Sequence, residues 1–293
     1  MIIIRSLYGN KIFVFLLISI KNLSSAHMKK RPLDIVVISD VHLGTVGCHA
    51  IELMQYLNSI DPKIIILNGD FVDVWNFKKY YWPESHMMVL KTLLNMMTNG
   101  TDIYYLTGNH DEVLRKVSSL QLGPLFIRDK LVLELDGEKV WIFHGDIFDI
   151  TMKHSKWIAK LGGHGYELLI LLNRAINRLL VKMGRGKISL SKRIKESVKK
   201  AVRFIEDFET TAMDLAIDQG YEYVICGHIH QPKIRGYENE KGAVIYMNSG
   251  DWVENLTALE YNGNQWRIFK YREEDFIGLP RIDVRSKKRN RVV

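Results

Sequence analysis

Two histidines separated by one residue stand late in the chain, in the stretch Gly227-His228-Ile229-His230, directly after an apolar run. In an extended chain, residues i and i+2 point to the same side, so both imidazoles would meet at one spot. Such crowding packs poorly but suits the binding of a metal ion. The pattern therefore favours a metal site, provided that other segments supply further ligands.

Five more oxygen- or nitrogen-donating side chains follow apolar runs: Asp40, His42, Asp70, Asn109 and His144. Taken singly, a motif such as Asp40-x-His42 more often marks a solvated turn. Together with the histidine pair they predict one cluster, because buried carboxylates and imidazoles are costly unless a cation pairs with them. The absence of thiolates argues against a structural zinc site. The donors suit Mn²⁺, Mg²⁺, Fe²⁺ or Zn²⁺, and two divalent ions, Mn²⁺ foremost, are the predicted cofactors.

Short apolar strands must carry these donors to one place. Strands are predicted at 34–39, 64–67, 103–106, 140–143, 223–226 and 243–247, with helices at 48–59 and 86–98. Nearly all-apolar strands that alternate with helices indicate an α/β fold whose sheet is covered on both faces. Open α/β sheets place ligand sites at the carboxyl ends of their strands, which is where the donors fall.

The ordered motifs resemble those of the calcineurin-like metallophosphoesterases. They are Asp40-x-His42, Gly69-Asp70, Gly108-Asn109-His110-Asp111, His144-Gly145-Asp146 and Gly227-His228-Ile229-His230. The resemblance covers residues 34 to 251. It implies a four-layer α/β/β/α metallophosphoesterase sandwich, in which two mixed sheets pack face to face with helices outside, and a helical insertion that forms a lid.

The same resemblance implies a role for each donor. The first ion would be held by Asp40, His42, Asp70 and His230, and the second by Asp70, Asn109, His144 and His228. His110 would face the substrate, where it stabilises charge on the phosphate or protonates the leaving oxygen. Two ions about 3.5–4 Å apart clamp a phosphoryl group and make a water molecule nucleophilic at neutral pH.

Within the family, the chain is similar to a branch that hydrolyses the diphosphate bond of UDP-2,3-diacylglucosamine in lipid A biosynthesis. The similarity lies in residues 39–44, in residues 68–75 and in an insertion ahead of the final histidine pair. It implies a nucleotide-linked lipid as substrate, UMP and lipid X as products, and a cytoplasmic enzyme peripheral at the inner membrane. One departure bears on the substrate, because the best-known members carry arginine where this chain has His110.

The insertion, residues 153–203, is basic and amphipathic. It contains 14 Lys and Arg against two Glu, an excess larger than the net charge of +8 of the whole chain. We expect a helical lid that meets acyl chains and an anionic membrane surface. The candidate substrate contacts are Trp75, Arg115, Trp157, Arg174 and Arg178. The alternative for the insertion is a helical hairpin packed on the core, with its charges solvated.

Two other functions compete with lipid hydrolysis. A general phosphodiesterase or nuclease would bind a phosphate backbone through the basic insertion. The leucine-rich face of the insertion argues against nucleic acid, since single-strand grooves use cations and stacking aromatics. A non-enzymatic scaffold would have lost metal ligands, whereas every expected position is filled here.

The predicted core comprises residues 28–152 and 204–280, and further segments flank it. Residues 1–27 hold an apolar run that is short for a bilayer span. A mis-called start ahead of Met28, a signal and an interfacial anchor are the alternatives for this segment. Residues 281–293 are predicted to be a basic, disordered tail. Two cysteines, Cys48 and Cys226, are too few for a disulfide framework and favour a reducing compartment.

Overall fold

A computed structural model of the chain describes residues 5–8, 11–14, 30–74, 81–150 and 190–276. The predicted contacts Trp75, Trp157, Arg174 and Arg178 lie outside the described residues, as do most of the insertion and the tail 281–293. The last part of the insertion belongs to a helix that begins at Leu190 and runs past residue 203 to Asp218.

In chain order the elements are β1 (Arg5–Tyr8), β2 (Lys11–Val14), β3 (Arg31–Ile38), α1 (Ala50–Ser59), β4 (Ile60–Asn68), α2 (Glu84–Thr98), β5 (Asp102–Leu106), β6 (Gln121–Leu122), β7 (Leu125–Arg128), β8 (Lys130–Leu135), β9 (Glu138–Phe143), α3 (Leu190–Asp218), β10 (Tyr223–Cys226), β11 (Lys233–Asn239), β12 (Gly242–Asn248), β13 (Thr257–Asn262) and β14 (Gln265–Lys270). Short 3₁₀ helices span Glu112–Val117, Asp146–Ile150 and Glu273–Phe276. Each strand and helix predicted from the sequence corresponds to one of these elements.

Two mixed sheets form the centre of the fold. The larger sheet has the strand order β14-β13-β3-β4-β5-β7-β6, and the smaller has the order β11-β12-β10-β9-β8. Strands β3, β4, β5 and β7 pair in parallel, and so do β9, β10 and β12. The carboxyl ends of the parallel strands therefore share one edge in each sheet.

Strand β3 shows why the central strands are apolar on both faces. Ile35 and Val37 contact the smaller sheet across the interface between the sheets, while Val36 and Ile38 join the cluster that holds α1 and α2. Helix α3 covers the outer face of the smaller sheet. The four-layer α/β/β/α sandwich is thus confirmed. The larger sheet is covered on both faces, as its apolar strands predicted, with helices on the outer face and the smaller sheet on the inner face.

Two hairpins complete the sheets with three strands that were not predicted, β8, β13 and β14. Asp136 and Gly137 connect β8 to β9, and Gly263 and Asn264 connect β13 to β14. All four residues have positive φ, as the two-residue type I′ turn requires. Strands β8 and β14 alternate in exposure, so their sequences lack the continuous apolar run that marks the buried strands.

The amino-terminal segment is described only as the antiparallel pair of β1 and β2. The three alternatives for residues 1–27 stay predictions. In the parts of the chain that the structure describes, every helix is too short or too polar to cross a membrane.

Candidate metal centre

Both sheets deliver donor side chains to the same edge of the sandwich. Asp40 follows β3 and Asp70 follows β4 in the larger sheet, whereas His144 follows β9 and His230 follows β10 in the smaller. His230 Nε2 lies 3.1 Å from Asp40 Oδ1, and His144 Nε2 lies 3.3 Å from Asp70 Oδ2. Each of these distances joins one sheet to the other, so residues far apart in sequence meet at one site.

The donors form three overlapping groups, in each of which the ligand atoms lie within 4.8 Å of one another. The groups are Asp40-His42-His230, His42-Asp70-His110 and Asp70-His144-His228. The first and third groups fall within the two predicted ligand sets, and Asp70 occurs in two of the three groups. His42 also occurs in two groups, but only the carboxylate of Asp70 has two oxygens and could therefore bridge two cations.

The two histidines of the opening motif do not share one spot. His228 and His230 lie beyond the end of β10 and both have positive φ, at 67° and 54°. Their side chains consequently join different groups, His228 with Asp70 and His230 with Asp40. The extended geometry that the alternation suggested is therefore wrong, although both imidazoles reach the cluster.

Several buried donor atoms lack the hydrogen bonds that burial normally demands. Among the described residues, both side-chain polar atoms of Asn109 lack a hydrogen bond. Asp40 Oδ1 and His144 Nε2 have only ion-pair contacts, to His230 and Asp70, without hydrogen-bond geometry. Leaving such a group unsatisfied costs about 1–3 kcal/mol. Asp40 and His144 are almost completely inaccessible to solvent. Carboxylate, amide and imidazole donors oriented into one buried space fit a divalent cation.

A backbone carbonyl fixes the orientation of His144. Its Nδ1 lies 2.8 Å from the carbonyl oxygen of Asn68. Because a carbonyl only accepts, Nδ1 carries a proton, and Nε2 of the neutral ring has its lone pair directed at the site. A hydrogen bond of this kind on the second ring nitrogen is usual for histidines that bind metals.

Asp73 performs the same task for two histidines at once. Its Oδ2 lies 3.1 Å from His42 Nδ1 and 2.9 Å from His110 Nδ1, and the two rings meet edge to face at 4.7 Å. The hydrogen bond leaves Nε2 of His42 for the site, and Nε2 of His110 lies 4.0 Å from Asp70 Oδ2. The sequence analysis gave Asp73 no role. The signal was present, because Asp73 is a second carboxylate three residues after Asp70 in the same strand-end loop.

The backbone at the site adopts conformations that few side chains tolerate. Asp40, His42 and Asp70 have φ of 54°, 54° and 51°, in the left-handed region. For residues with a Cβ this region costs about 1–2 kcal/mol each relative to ordinary backbone. Such strain persists only where the surrounding structure holds it, and it is concentrated at functional sites.

Motif glycines leave room for the ligands. A Cβ on Gly69, whose φ is +79°, would collide with the ring of His144. A Cβ on Gly108 would collide with the carboxylate and backbone nitrogen of Asp70. These positions need glycine because ligand side chains lie directly above their Cα atoms.

Charges at the site compensate one another. Burial tends to raise the pKa of Asp40, but His230 outweighs it and the pKa falls to about 2. Burial likewise tends to raise the pKa of Asp70, but the neighbouring His144 outweighs it and the pKa is lowered. In return the pKa of His230 rises to about 9, against its burial, because Asp40 is adjacent. A cation must displace protons from such imidazoles, so its binding strengthens as pH rises.

Arg115 is paired with a neighbouring carboxylate. Its Nη2 lies 2.5 Å from Asp146 Oδ2, in an ion pair that joins the 3₁₀ helix after His110 to the 3₁₀ helix after His144. The structure thus places this predicted substrate contact next to two of the site loops.

Fold and site together define a class of protein. The model of the calcineurin-like phosphoesterase family matches residues 33–232, and this chain belongs to that family. Its members are hydrolases that bind two divalent metal ions, and the His and Asp groups described here can hold such ions.

Individual relatives of known name share about a quarter of their residues with this chain. The UDP-2,3-diacylglucosamine hydrolase of Aliivibrio fischeri is 27% identical over 248 residues, which cover 81% of this chain and 98% of that protein. The hydrolase of the same name from Marinobacter nauticus is 25% identical, and the alignment covers 78% of this chain and 93% of that protein. Among solved structures, a dimetal phosphatase from Danio rerio aligns with 81% of this chain and 95% of its own at 11% identity, with a TM-score of 0.40.

Proposed function

We propose that this chain hydrolyses the diphosphate bond of UDP-2,3-diacylglucosamine, releasing UMP and 2,3-diacylglucosamine 1-phosphate in lipid A biosynthesis. Relatives of that name match at 22–27% identity. The observation that carries the lipid part of the proposal is an exposed apolar surface beside the candidate metal centre.

We define this apolar rim as Val74, Val113, Val117 and Ile147, each between 42% and 60% exposed. The backbone N–H of Val74 donates to the carbonyl of His110 at 3.0 Å. Val113 and Val117 belong to the 3₁₀ helix that also carries Arg115, and Ile147 follows its partner Asp146. Exposed apolar residues grouped at a site mark contact with an apolar ligand. The acyl chains of a lipid substrate are such a ligand, whereas a nucleic acid backbone is not.

The metal centre would use the seven donors in two sets. Asp40, His42, Asp70 and His230 would hold one ion, and Asp70, Asn109, His144 and His228 the other. When bound, the ions make a water molecule nucleophilic at neutral pH and stabilise the charge on the phosphate. Mn²⁺ is the proposed native metal.

His110 is the proposed catalytic side chain that is not a ligand. Its Nδ1 lies at ion-pair distance, 2.9 Å, from Asp73 Oδ2, which leaves Nε2 for the substrate. Its side chain is 19% exposed, against 3% or less for Asp70 and Asp73 beside it, so a substrate can reach it. From there Nε2 can donate to a phosphate oxygen or protonate the leaving oxygen.

The remaining contacts complete the proposal. Arg115, held by Asp146, would meet the diphosphate. Trp75, Trp157, Arg174 and Arg178 would contact the nucleotide, the acyl chains or the head group. The basic insertion 153–203 would form a lid at the anionic surface of the inner membrane, where each basic residue contributes about 1 kcal/mol. The enzyme would act from the cytoplasmic side.

The decisive experiment measures UMP release from UDP-2,3-diacylglucosamine in detergent micelles, with Mn²⁺ and with chelator. We expect release that the chelator abolishes and that Mn²⁺ restores. Bis-p-nitrophenyl phosphate and single-stranded DNA serve as parallel substrates. Metal-dependent cleavage of the diester or of DNA without UMP release would replace the lipid assignment with a general phosphodiesterase or nuclease. Loss of all three activities would indicate a scaffold.

A further inference from the structure

A buried histidine of helix α2 holds the loop that carries two of the metal donors. His86 is only 1% exposed and lies in the helical layer that covers the larger sheet. Its Nδ1 accepts a hydrogen bond of 2.9 Å from the backbone N–H of Gly44. Gly44 ends the segment that begins at Asp40 and contains His42. The contact therefore ties the helical layer to a strand-end loop of the larger sheet.

The rest of this loop is bonded to the neighbouring strand-end loop. The backbone N–H groups of His42 and Leu43 donate to the carbonyls of Asp70 and Phe71, both at 2.9 Å. At Gly44 the chain turns away, with φ of +100°, and its N–H is received by the imidazole instead. A buried N–H needs an acceptor, so the imidazole completes the hydrogen bonding of the loop.

The ring of His86 is itself fixed in place. The rings of Tyr81 and Trp82 meet it edge to face, at 5.9 and 5.5 Å. Burial lowers the pKa of His86, which favours the neutral form. A neutral imidazole with an unprotonated Nδ1 is the form that can accept from Gly44.

We propose that His86 is a positioning residue for the candidate metal centre, holding Asp40 and His42 where the first ion needs them. This inference rests on the proposed metal ligands and is independent of the lipid substrate. It predicts a selective effect. Asp40 and His42 belong to the group that includes His230, whereas His144 is oriented by the carbonyl of Asn68. Loss of the hydrogen bond from Gly44 should therefore weaken the binding of one of the two ions and spare the other.

Two substitutions separate the acceptor from the volume of the ring. His86→Phe keeps a ring and removes the acceptor. His86→Asn loses volume but places Oδ1 where Nδ1 was, so it can still accept from Gly44. Val89→Ala, a buried change one turn along α2, is the control for lost helix packing.

Mn²⁺ binding to the metal-free full chain is measured by calorimetric titration and by electron paramagnetic resonance. For His86→Phe we expect one ion to bind about 10–100-fold more weakly, as for other residues that orient ligands. The second ion should change by no more than about twofold. The resonance signal of a coupled pair should give way to that of an isolated ion. His86→Asn and Val89→Ala should keep the coupled pair.

Three results would overturn the positioning role. They are tight binding of both ions by His86→Phe, equal weakening of both ions, and equal weakening in all three variants. Failure of the unaltered chain to bind Mn²⁺ would instead refute the metal centre itself, so the two failures are distinguishable.

Discussion

Replacing His110 by alanine should remove most turnover and leave the metal centre in place. The imidazole Nε2 is 4.0 Å from Asp70 Oδ2, while Nδ1 is engaged by Asp73 at 2.9 Å. The contact of His110 that supports a ligand comes from its backbone, whose N–H donates to Asp70 Oδ1 at 2.7 Å. Alanine retains that N–H, so the bridging carboxylate keeps its support.

The expected loss is that of a catalytic proton donor. Such groups contribute about 10²–10⁴ to the rate, which corresponds to about 2.7–5.4 kcal/mol in the activation free energy. Mn²⁺ affinity should change by less than about tenfold, below the range seen when residues that orient a ligand are removed.

Asp73→Asn tests whether the catalytic role of His110 depends on the carboxylate of Asp73. The amide can occupy the same space but lacks the negative charge. A polar contact with a charged group, like that of His110 with Asp73, contributes about 1.5–3 kcal/mol, so kcat should fall by about 10–150-fold. In a chain that already carries His110→Ala, the same change should have little further effect on kcat. Saturating Mn²⁺ is required, because Asp73 also contacts the ligand His42.

The assay is the hydrolysis of bis-p-nitrophenyl phosphate and of a dialkyl phosphodiester, beside Mn²⁺ titration of each variant. A larger loss with the dialkyl ester, whose leaving oxygen is more basic, assigns protonation of that oxygen to His110. Equal losses assign charge stabilisation. The interpretation is refuted if His110→Ala loses Mn²⁺ together with activity, because His110 would then be a ligand. It is also refuted if the two substitutions act additively.

Three further substitutions test the site, the fold and the rim. Asp70→Ala should abolish tight binding of both ions and nearly all hydrolysis in the same assays, because Asp70 is the donor shared by the two proposed ligand sets and occurs in two of the three donor groups. Glu260→Gln should lower the free energy of unfolding at pH 7 by about 1–3 kcal/mol, less than for a fully buried pair because its arginine partners are 40% and 59% exposed. Val113→Asp should raise KM for the lipid nucleotide at least about tenfold, as expected from the loss of about 1.4 kcal/mol of apolar contact, and spare the diester. Leu94→Asp, a similarly exposed site on α2, is its control.

The pH dependence expected for Glu260→Gln follows from the direction in which the pKa of Glu260 is shifted. Burial tends to raise the pKa of Glu260, but the hydrogen bond and charge of Arg31 outweigh it, so the pKa is lowered. A lowered pKa in the folded state gives a stabilisation that is complete above the unfolded pKa of about 4.3 and is lost as pH falls through the folded value. Urea unfolding of the metal-free chain should therefore show a difference between unaltered and Glu260→Gln protein that shrinks on acidification. A difference in stability that stays constant with pH would contradict the role of the Glu260 charge. Full activity of Asp70→Ala would contradict the proposal that Asp70 is a shared ligand.

Much of the site was predictable because its ligands stand where the sequence changes character. Asp40, Asp70 and His144 each follow a run of buried apolar residues, and parallel strands place such positions at one edge. Residue patterns alone could not show that the strands divide between two sheets. Strand β3 is apolar on both faces whether helices or a second sheet cover it, and the division came from the family resemblance.

The supporting residues were beyond the reach of sequence patterns. Asp73 contacts His42 and His110, and His86 contacts Gly44, across sequence separations of 31 to 42 residues. Such pairs are created by packing between layers, which leaves no local period or spacing in the sequence. The hairpins at Asp136-Gly137 and Gly263-Asn264 differ, because both dipeptides are turn signals readable from the sequence.

The two aspartates proposed as ligands, Asp40 and Asp70, each use one oxygen for the fold and leave the other for the site. Asp40 Oδ2 accepts the backbone N–H of His228 at 3.0 Å, while Oδ1 lies near the His230 ring. Asp70 Oδ1 accepts the backbone N–H of His110, while Oδ2 lies near His144. Each carboxylate thus holds a neighbouring strand-end loop with one atom and offers the other to a cation. Asparagine could keep the first bond but not the charge, so loop geometry and metal affinity are separable at these positions. The left-handed backbone of both residues is held by protein contacts that need no ion, which is the condition for a preorganised site.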